Sequence, residues 1–390
     1  MGCPDVSSLA GSAIVTVRLL FVVNSPAFFI SHRLPIALAA KKEGYEVHVG
    51  TMPGEAVSQI IEAGLFHHEL PLTRSGRNFL NELFVFSAIY KLFCQLKPGI
   101  VHLVTIKPVI YGVLAARLAG VPSVVAAISG LGYVFIARGF KASLVRAAVM
   151  SLYRLAFRKR NLCVIFQNND DRSRFVKADT VRNEKTVLIR GSGVDLEDYT
   201  ATVETAATPV IIMISRLLRD KGVGEFVEAT RMIIQRGIKA RFLMVGDADP
   251  HNPATVTKIE LDLIRKEGRV ELLGHRSDIP ELLAISSIVV LPSYREGLPK
   301  VLVEAAAAGR AVVTTDVPGC RDAIEPDISG LLVPVRDANA LANAIQRLIE
   351  DVELRQKMGR AGRQLAEKEF SIEKIVQAHL DIYRMLEANA

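Results

Sequence analysis

Two glutamates eight positions apart, Glu296 and Glu304, bracket the point where a strand-like run gives way to a helix-like one in Tyr294-Arg295-Glu296-Gly297-Leu298-Pro299-Lys300-Val301-Leu302-Val303-Glu304. The preceding Ser287–Leu291 is short and wholly apolar apart from its serine, the form of a parallel strand buried on both faces. Pro299, the alanines 305–308 and Gly309 predict a helix that starts at Pro299 and stops at Gly309. The N–H groups of Leu298, Lys300 and Val301 would then lack intrahelical acceptors, and the helix dipole would be positive there. A pyrophosphate fits such a start. Glu296 in the loop before it and Glu304 a turn inside could accept hydrogen bonds from sugar hydroxyls. The pair therefore suits a nucleotide-sugar diphosphate. A capping acid followed by a surface glutamate would give the same letters, so the setting (strand end, glycine, Pro299, small-residue helix) carries the reading rather than the spacing.

A second group supplies positive charge. Ser215-Arg216-Leu217-Leu218-Arg219-Asp220-Lys221-Gly222 follows the strand-like Pro209–Ile214, so Arg216 and Lys221 leave a strand's C-terminal end where cations can reach a diphosphate. Such fixed cations can neutralise a departing diphosphate without a metal ion, although a solvated loop, with Arg219 and Asp220 in it, would carry the same residues. Asp247-Ala248-Asp249 is the pair that could hold a divalent ion, but its place after Gly246 and before Pro250 is explained by a turn. No metal site is expected. Neither Gly191-Ser192-Gly193 nor Gly130-Leu131-Gly132 has the third glycine of a dinucleotide fingerprint. In the first half, His32 and Arg33, Lys107, and Ser129, Gly130 and Gly132 each follow a strand-like run and would face the same crevice. Singly they read as a helix-start residue, a solvated charge and a turn. Their shared placement makes them the first-domain side of the cleft.

The elements that must position these groups are short apolar runs alternating with amphipathic stretches, the pattern of parallel sheets covered by helices on both faces. Strands are expected at 19–23, 46–50, 100–104, 123–128, 162–166 and 186–189, and again at 209–214, 240–245, 270–273, 287–291, 311–314 and 331–333. The 390 residues suggest two domains. The boundaries read as a tail at 1–17, an acceptor-binding domain at 18–191, a linker at 192–208, a nucleotide-sugar domain at 209–370 and a final helix at 371–390 that returns to the first domain. A terminal helix resting on the second domain is the alternative. Four cysteines lie far apart with no Cys-x-x-Cys pair, which fits a reducing compartment and excludes a cysteine-based zinc site. No apolar run reaches membrane-spanning length. A net charge of +7 favours anionic partners, but Trp is absent and no nucleic-acid signature is present, so nucleic acid is not expected. Residues 138–160 interleave Arg138, Lys141, Arg146, Arg154, Arg158, Lys159 and Arg160 with Leu144, Val145, Val149 and Leu152 and contain no acid. That suits an anionic membrane surface, or a helix covering the sheet with a basic outer face.

From about Arg18 to the C-terminus the chain resembles glycosyltransferase family 4, retaining enzymes of the GT-B fold, on Arg216 with Lys221 and on the Glu296/Glu304 block followed by Ala311–Gly319. Phe28–Arg33 and Gly130–Phe135 resemble the branch that assembles lipid-linked bacterial surface polysaccharides such as O-antigen and capsule. The resemblance implies an α/β fold of two Rossmann-like domains facing across a cleft. Arg216 and Lys221 would bind the donor diphosphate, Glu296 the sugar hydroxyls, Glu304 the ribose hydroxyls, and Gly297, Leu298, Pro299 and Lys300 would supply the loop that presents N–H groups. The implied reaction is metal-independent transfer, with retention, of an N-acetylhexosamine or deoxy sugar from a nucleotide diphosphate, UDP foremost, to a polyprenyl-diphosphate-linked acceptor. The implied location is the cytoplasmic face of the cell membrane, held peripherally. Many family members place a histidine after the strand corresponding to Ser123–Ile128, where this chain has Ser129 and Gly130. A nucleotide-sugar epimerase of the same shape and a non-catalytic nucleotide-sugar-binding protein are the alternatives.

Overall fold

The structure is a computed structural model, and it describes residues 16–72, 79–131, 139–201, 208–250 and 252–390. Gly132, Arg138, tail residues 1–15 and linker residues 202–207 lie outside the described residues. Among the described residues thirteen strands form two sheets. The first holds β1 (Arg18–Val23), β2 (Glu46–Thr51), β3 (Phe66–Glu69), β4 (Ile100–Val104), β5 (Ser123–Ile128), β6 (Leu162–Phe166) and β7 (Thr186–Leu188), in the order β3-β2-β1-β4-β5-β6-β7. The second holds β8 (Val210–Ile214), β9 (Arg241–Val245), β10 (Glu271–Gly274), β11 (Ile288–Leu291), β12 (Ala311–Thr315) and β13 (Gly330–Val333), in the order β10-β9-β8-β11-β12-β13. Every pairing within them is parallel. Each sheet reverses its winding direction once, between β1 and β4 and between β8 and β11, and such points open a crevice at the strands' C-terminal ends.

Helices α1 (Pro26–Lys42), α2 (Val57–Glu62), α3 (Phe79–Leu96), α4 (Ile106–Leu118), α5 (Phe140–Ala156) and α6 (Asn169–Lys177) belong to the first sheet. The second carries α7 (Val223–Gln235), α8 (Lys258–Glu267), α9 (Ile279–Ala284), α10 (Lys300–Ala307), α11 (Ala338–Glu350) and α12 (Val352–Leu365). Strand interiors such as Leu19–Val23 and Val289–Leu291 are buried, as continuous apolar runs require when both sheet faces are covered.

A π-helical turn at Ala366–Phe370 leads from α12 into α13 (Ile372–Ala388), which crosses to the first sheet. Ile375, Leu380, Ile382, Tyr383 and Leu386 join the core formed by Leu19, Phe21, Ile36 and Val125. Polar contacts fix the docking: the Tyr383 hydroxyl meets His102 Nδ1 at 2.6 Å, and Asn161 Nδ2 donates to the Leu386 carbonyl at 2.8 Å. Val194 N–H donates to the Phe370 carbonyl and Ile372 N–H to that of Val194, both at 2.9 Å, so the outgoing and returning connections run side by side.

One expectation is corrected here. Arg33 lines no open part of the gap; it is 2% exposed, beneath α13 with His102, His379 and Tyr383 around it. Helix periodicity explains the difference from its neighbour: consecutive residues of α1 point about 100° apart, so His32 and Arg33 cannot share a face.

Candidate active site between the two sheets

The loop that leaves β8 is stitched to the loops that leave β9 and β11. Leu217 N–H donates to the Asp247 carbonyl and Tyr294 N–H to that of Asp220, both at 2.8 Å, so the 3₁₀ turn at Arg219–Lys221 stands against the loop that carries Glu296. Lys221 Nζ there bonds Glu296 Oε1, with both side chains mostly buried. Burial raises the Asp220 carboxyl above its ordinary value, Lys221 opposes that, and Glu296 adds to it. Arg216 is half exposed and donates from Nη1 to Asp249 Oδ2 at 2.9 Å, while its charge also reaches Asp220. Of the two acids of the Asp247-Ala248-Asp249 turn, Asp249 is thus committed to a guanidinium. Among the described residues no three His, Cys, Asp or Glu side chains converge as a metal cage would need.

Pro299 caps α10, and its carbonyl accepts from Leu302 N–H at 3.1 Å and Val303 N–H at 3.4 Å. Among the described residues the N–H groups of Leu298, Lys300 and Val301 have no acceptor, so the helix start presents free donors next to the Lys221–Glu296 pair. Glu304 is 6% exposed. Its Oε1 accepts from the Tyr199 hydroxyl at 2.9 Å and lies 3.2 Å from Lys300 Nζ, and both contacts hold the carboxylate toward the start of its own helix.

The first domain closes over this loop. Asn168, the N-cap of α6, accepts from Asp171 N–H and donates from Nδ2 to the Gly297 carbonyl at 2.8 Å. Arg295 makes an ion pair with Asp171, which is 1% exposed. Burial raises the Asp171 carboxyl, and Arg295 works in the opposite direction. Arg321 lies 3.4 Å from Asp170, a further pair between the lobes. Gly297 packs so closely that an added Cβ would overlap the Ser129 carbonyl oxygen and stand 2.5 Å from Gln167 Oε1. From the other side, a Cβ on Gly319 would come within 2.6 Å of the Gly297 carbonyl oxygen. Glycine is required at both places by these approaches.

His32 lies near enough to Lys300 for the ammonium to act on it, and burial first, then Arg33 and Lys300, push its pKa down to about 3. It stacks on Phe28 at 4.1 Å, and its Nδ1 meets Ser31 Oγ at 2.6 Å, so a neutral imidazole faces the α10 start. Lys107 is occupied otherwise: it heads α4 and bonds Glu82 Oε1 at 2.6 Å, while the Tyr111 hydroxyl donates to Oε2 at 2.8 Å. The structure thus brings together Lys221, Glu296, Gly297, Leu298, Pro299, Lys300, Val301, His32, Ser129 and Gly130, with Arg216 and Glu304 at the margins. Sequence reasoning missed Asn168, Asp171 and Arg295. Asn168-Asn169-Asp170-Asp171 has the composition of a helix cap, and nothing local says that the cap also reads a carbonyl from the other lobe.

Two facing doubly wound sheets, with a helix start that has no side-chain cap and a lysine between them, are the architecture of the GT-B class of sugar-transferring folds. Comparison with known proteins makes the membership specific. Residues 208–351 match the family described as glycosyl transferases group 1, and residues 18–168 match glycosyl transferase 4-like. The chain is 31% identical to the N,N'-diacetylbacillosaminyl-diphospho-undecaprenol alpha-1,3-N-acetylgalactosaminyltransferase of Campylobacter jejuni, covering 94% of this chain and 98% of that one. It is 30% identical to the UDP-Gal:alpha-D-GlcNAc-diphosphoundecaprenol alpha-1,3-galactosyltransferase of Escherichia coli, covering 76% and 78%. The crystal structure of Anabaena HepE in complex with UDP-glucose shares the fold, with a TM-score of 0.74 at 20% identity over 95% of this chain and 100% of that one. The chain belongs to glycosyltransferase family 4, and it is a glycosyltransferase.

Proposed function

We propose that the enzyme moves an N-acetylhexosamine or deoxy sugar from a UDP-linked donor to a sugar carried on a polyprenyl diphosphate, with retention of configuration and without a metal ion. The observation that carries this reading is the convergence of Lys221, Glu296 and the free N–H groups of α10 at one point, under cover of Ser129 and Gly130 from the other lobe. The names of the Campylobacter and Escherichia relatives support the acceptor class, and the UDP-glucose held by HepE supports the nucleotide.

As the bond from the anomeric carbon to the diphosphate breaks, the leaving group gains charge, which Lys221, Arg216 and the N–H groups of Lys300 and Val301 neutralise in place. Glu296 accepts from the donor sugar hydroxyls and stabilises the positive character that develops on the ring, and Glu304 accepts from the ribose. The acceptor hydroxyl enters from the face the diphosphate leaves, forming the new bond between its oxygen and the anomeric carbon, while a leaving-phosphate oxygen takes its proton. His32, held neutral, and Ser129 line the sugar side and keep water out.

Attachment to the inner face of the cell membrane is supported by α5, where Phe140, Leu144, Val145, Leu152 and Leu155 are exposed, and by Leu80, Leu83 and Phe84 on α3. No helix among the described residues is long and apolar enough to cross a membrane. The reaction is tested by incubating the enzyme with UDP-N-acetylhexosamines and a synthetic polyprenyl-diphosphate-linked sugar, in the presence of a chelator, and assigning the new linkage by NMR. An α-linked product is expected. A β-linked product, or conversion of the donor alone without transfer, would overturn the reading.

A further inference from the structure

A cavity of about 430 Å³ opens on the first domain where the end of α5 meets the turn after α6. It stands at the wrong end of the sheet for the donor. β6 begins at Leu162 and β7 at Thr186, beside the cavity, whereas Gln167 and Asn168, beside Gly297, follow the far end of β6. The five residues of β6 separate the two places by about 17 Å at roughly 3.3 Å per residue.

The wall is built of positive charge. Arg154, Arg158, Arg160, Arg182 and Lys185 line it, against one carboxylate, Asp179. Arg154 is anchored to backbone: Nε donates to the Asp179 carbonyl at 3.1 Å and Nη2 to that of Ala178 at 2.5 Å. Lys185 donates to the Lys159 carbonyl at 2.6 Å. The guanidinium groups of Arg158 and Arg160 have no acceptor among the described residues, and Arg182 only approaches an exposed Glu184 at 3.7 Å. Burial first, and then Arg182, hold the Lys185 ammonium below its ordinary value, with Glu184 opposing. Thr180, which lines the same cavity, is 3% exposed and buries a hydroxyl with no partner. A purely solvated basic face would need neither the concavity nor the orphaned hydroxyl.

We propose that this cavity binds the phosphate group of a phospho-anion, apart from the donor site. Guanidinium forks match phosphate oxygens in pairs. The phosphate could be carried by a lipid headgroup, whose chains the exposed Leu152 and Leu155 would meet, or by a soluble compound. The inference does not depend on the identity of the sugar donor; only its lipid-headgroup form rests on the proposed attachment through α5.

The test uses the full chain with UDP saturating the donor cleft. Inorganic pyrophosphate is titrated calorimetrically, and in parallel the protein is sedimented with vesicles of phosphatidylcholine alone or with added phosphatidylglycerol. R158S/R182S should weaken the interaction about 100-fold, tenfold for each guanidinium, equivalent to about 2.7 kcal/mol. R265S/K266S on α8 removes the same charge elsewhere and should leave it within twofold. Binding of pyrophosphate assigns the site to a soluble phosphate, and binding confined to the anionic vesicles assigns it to a headgroup. Binding of neither probe, or an equal loss in R158S/R182S and R265S/K266S, would overturn the proposal.

Discussion

Replacing Asp171 by Asn tests whether closure of the two lobes over the Glu296 loop is part of the reaction. The Asp171 carboxylate is 1% exposed and pairs with Arg295, the residue next to Glu296. Removing one partner of a buried pair costs about 3–5 kcal/mol if the other charge must stay buried. Here it need not, because separation of the lobes would return Arg295 to water. The cost to closure is therefore bounded by the lost charge-assisted hydrogen bonds, about 1.5–3 kcal/mol. If transfer proceeds only from the closed form, kcat/KM should fall by about 10- to 150-fold. Each lobe folds around its own core and Arg295 is free to hydrate on opening, so thermal stability should change little. R295Q should show the same loss, and D171N/R295Q should be no worse than either alone, because they break one contact. The assay is steady-state transfer to a lipid-linked acceptor with a melting curve for each variant. A D171N enzyme within twofold of the parent in kcat/KM would refute the reasoning, as would a loss explained wholly by a lower Tm.

The other predictions concern stability and fit. His32 and His379 are pushed down to about 3 and His102 well below its ordinary value, in each case chiefly by burial. They stay neutral in the fold while the unfolded chain protonates them below about pH 6.5. Stability should thus be full above that pH and fall as pH drops, by about 2 kcal/mol per histidine at pH 5; urea melts at the two pH values measure it, and H102Q/H379Q should flatten the dependence. G297A should fold normally yet lose at least tenfold in kcat/KM, since its Cβ would overlap the Ser129 carbonyl oxygen when the lobes meet. Ending the chain at Phe370 uncovers the Leu19, Phe21 and Ile36 face that α13 buries, and should yield aggregated protein rather than a less active monomer.

Much of this architecture was legible because parallel strands buried on both faces are continuous apolar runs, and Leu19–Val23, Val124–Ile128 and Ile288–Leu291 could hardly be anything else. β3 escaped because Phe66-His67-His68-Glu69 sits at the sheet edge with Phe66 exposed, so burial imposes no pattern on it. The half of the site built by α10 and the turn after β8 was readable for a related reason: helix starts and strand ends carry local signatures. The contacts between lobes were not. Arg295 and Asp171 lie 124 positions apart and pair only because two separately folded sheets meet. Arg33 shows the same limit in reverse, since its burial is created by α13, more than 300 residues later.

The central claim is that one diphosphate is held where Lys221, Glu296 and the α10 start converge, and that Glu296 acts on the sugar rather than on the phosphates. Calorimetric titration of UDP into the parent, K221A and E296Q enzymes, alongside their transfer rates, tests it directly. K221A should weaken UDP about tenfold or more through loss of a charge-assisted contact, whereas E296Q should bind UDP as the parent does and lose transfer. Normal transfer by E296Q, or UDP affinity unchanged in K221A, would contradict the account.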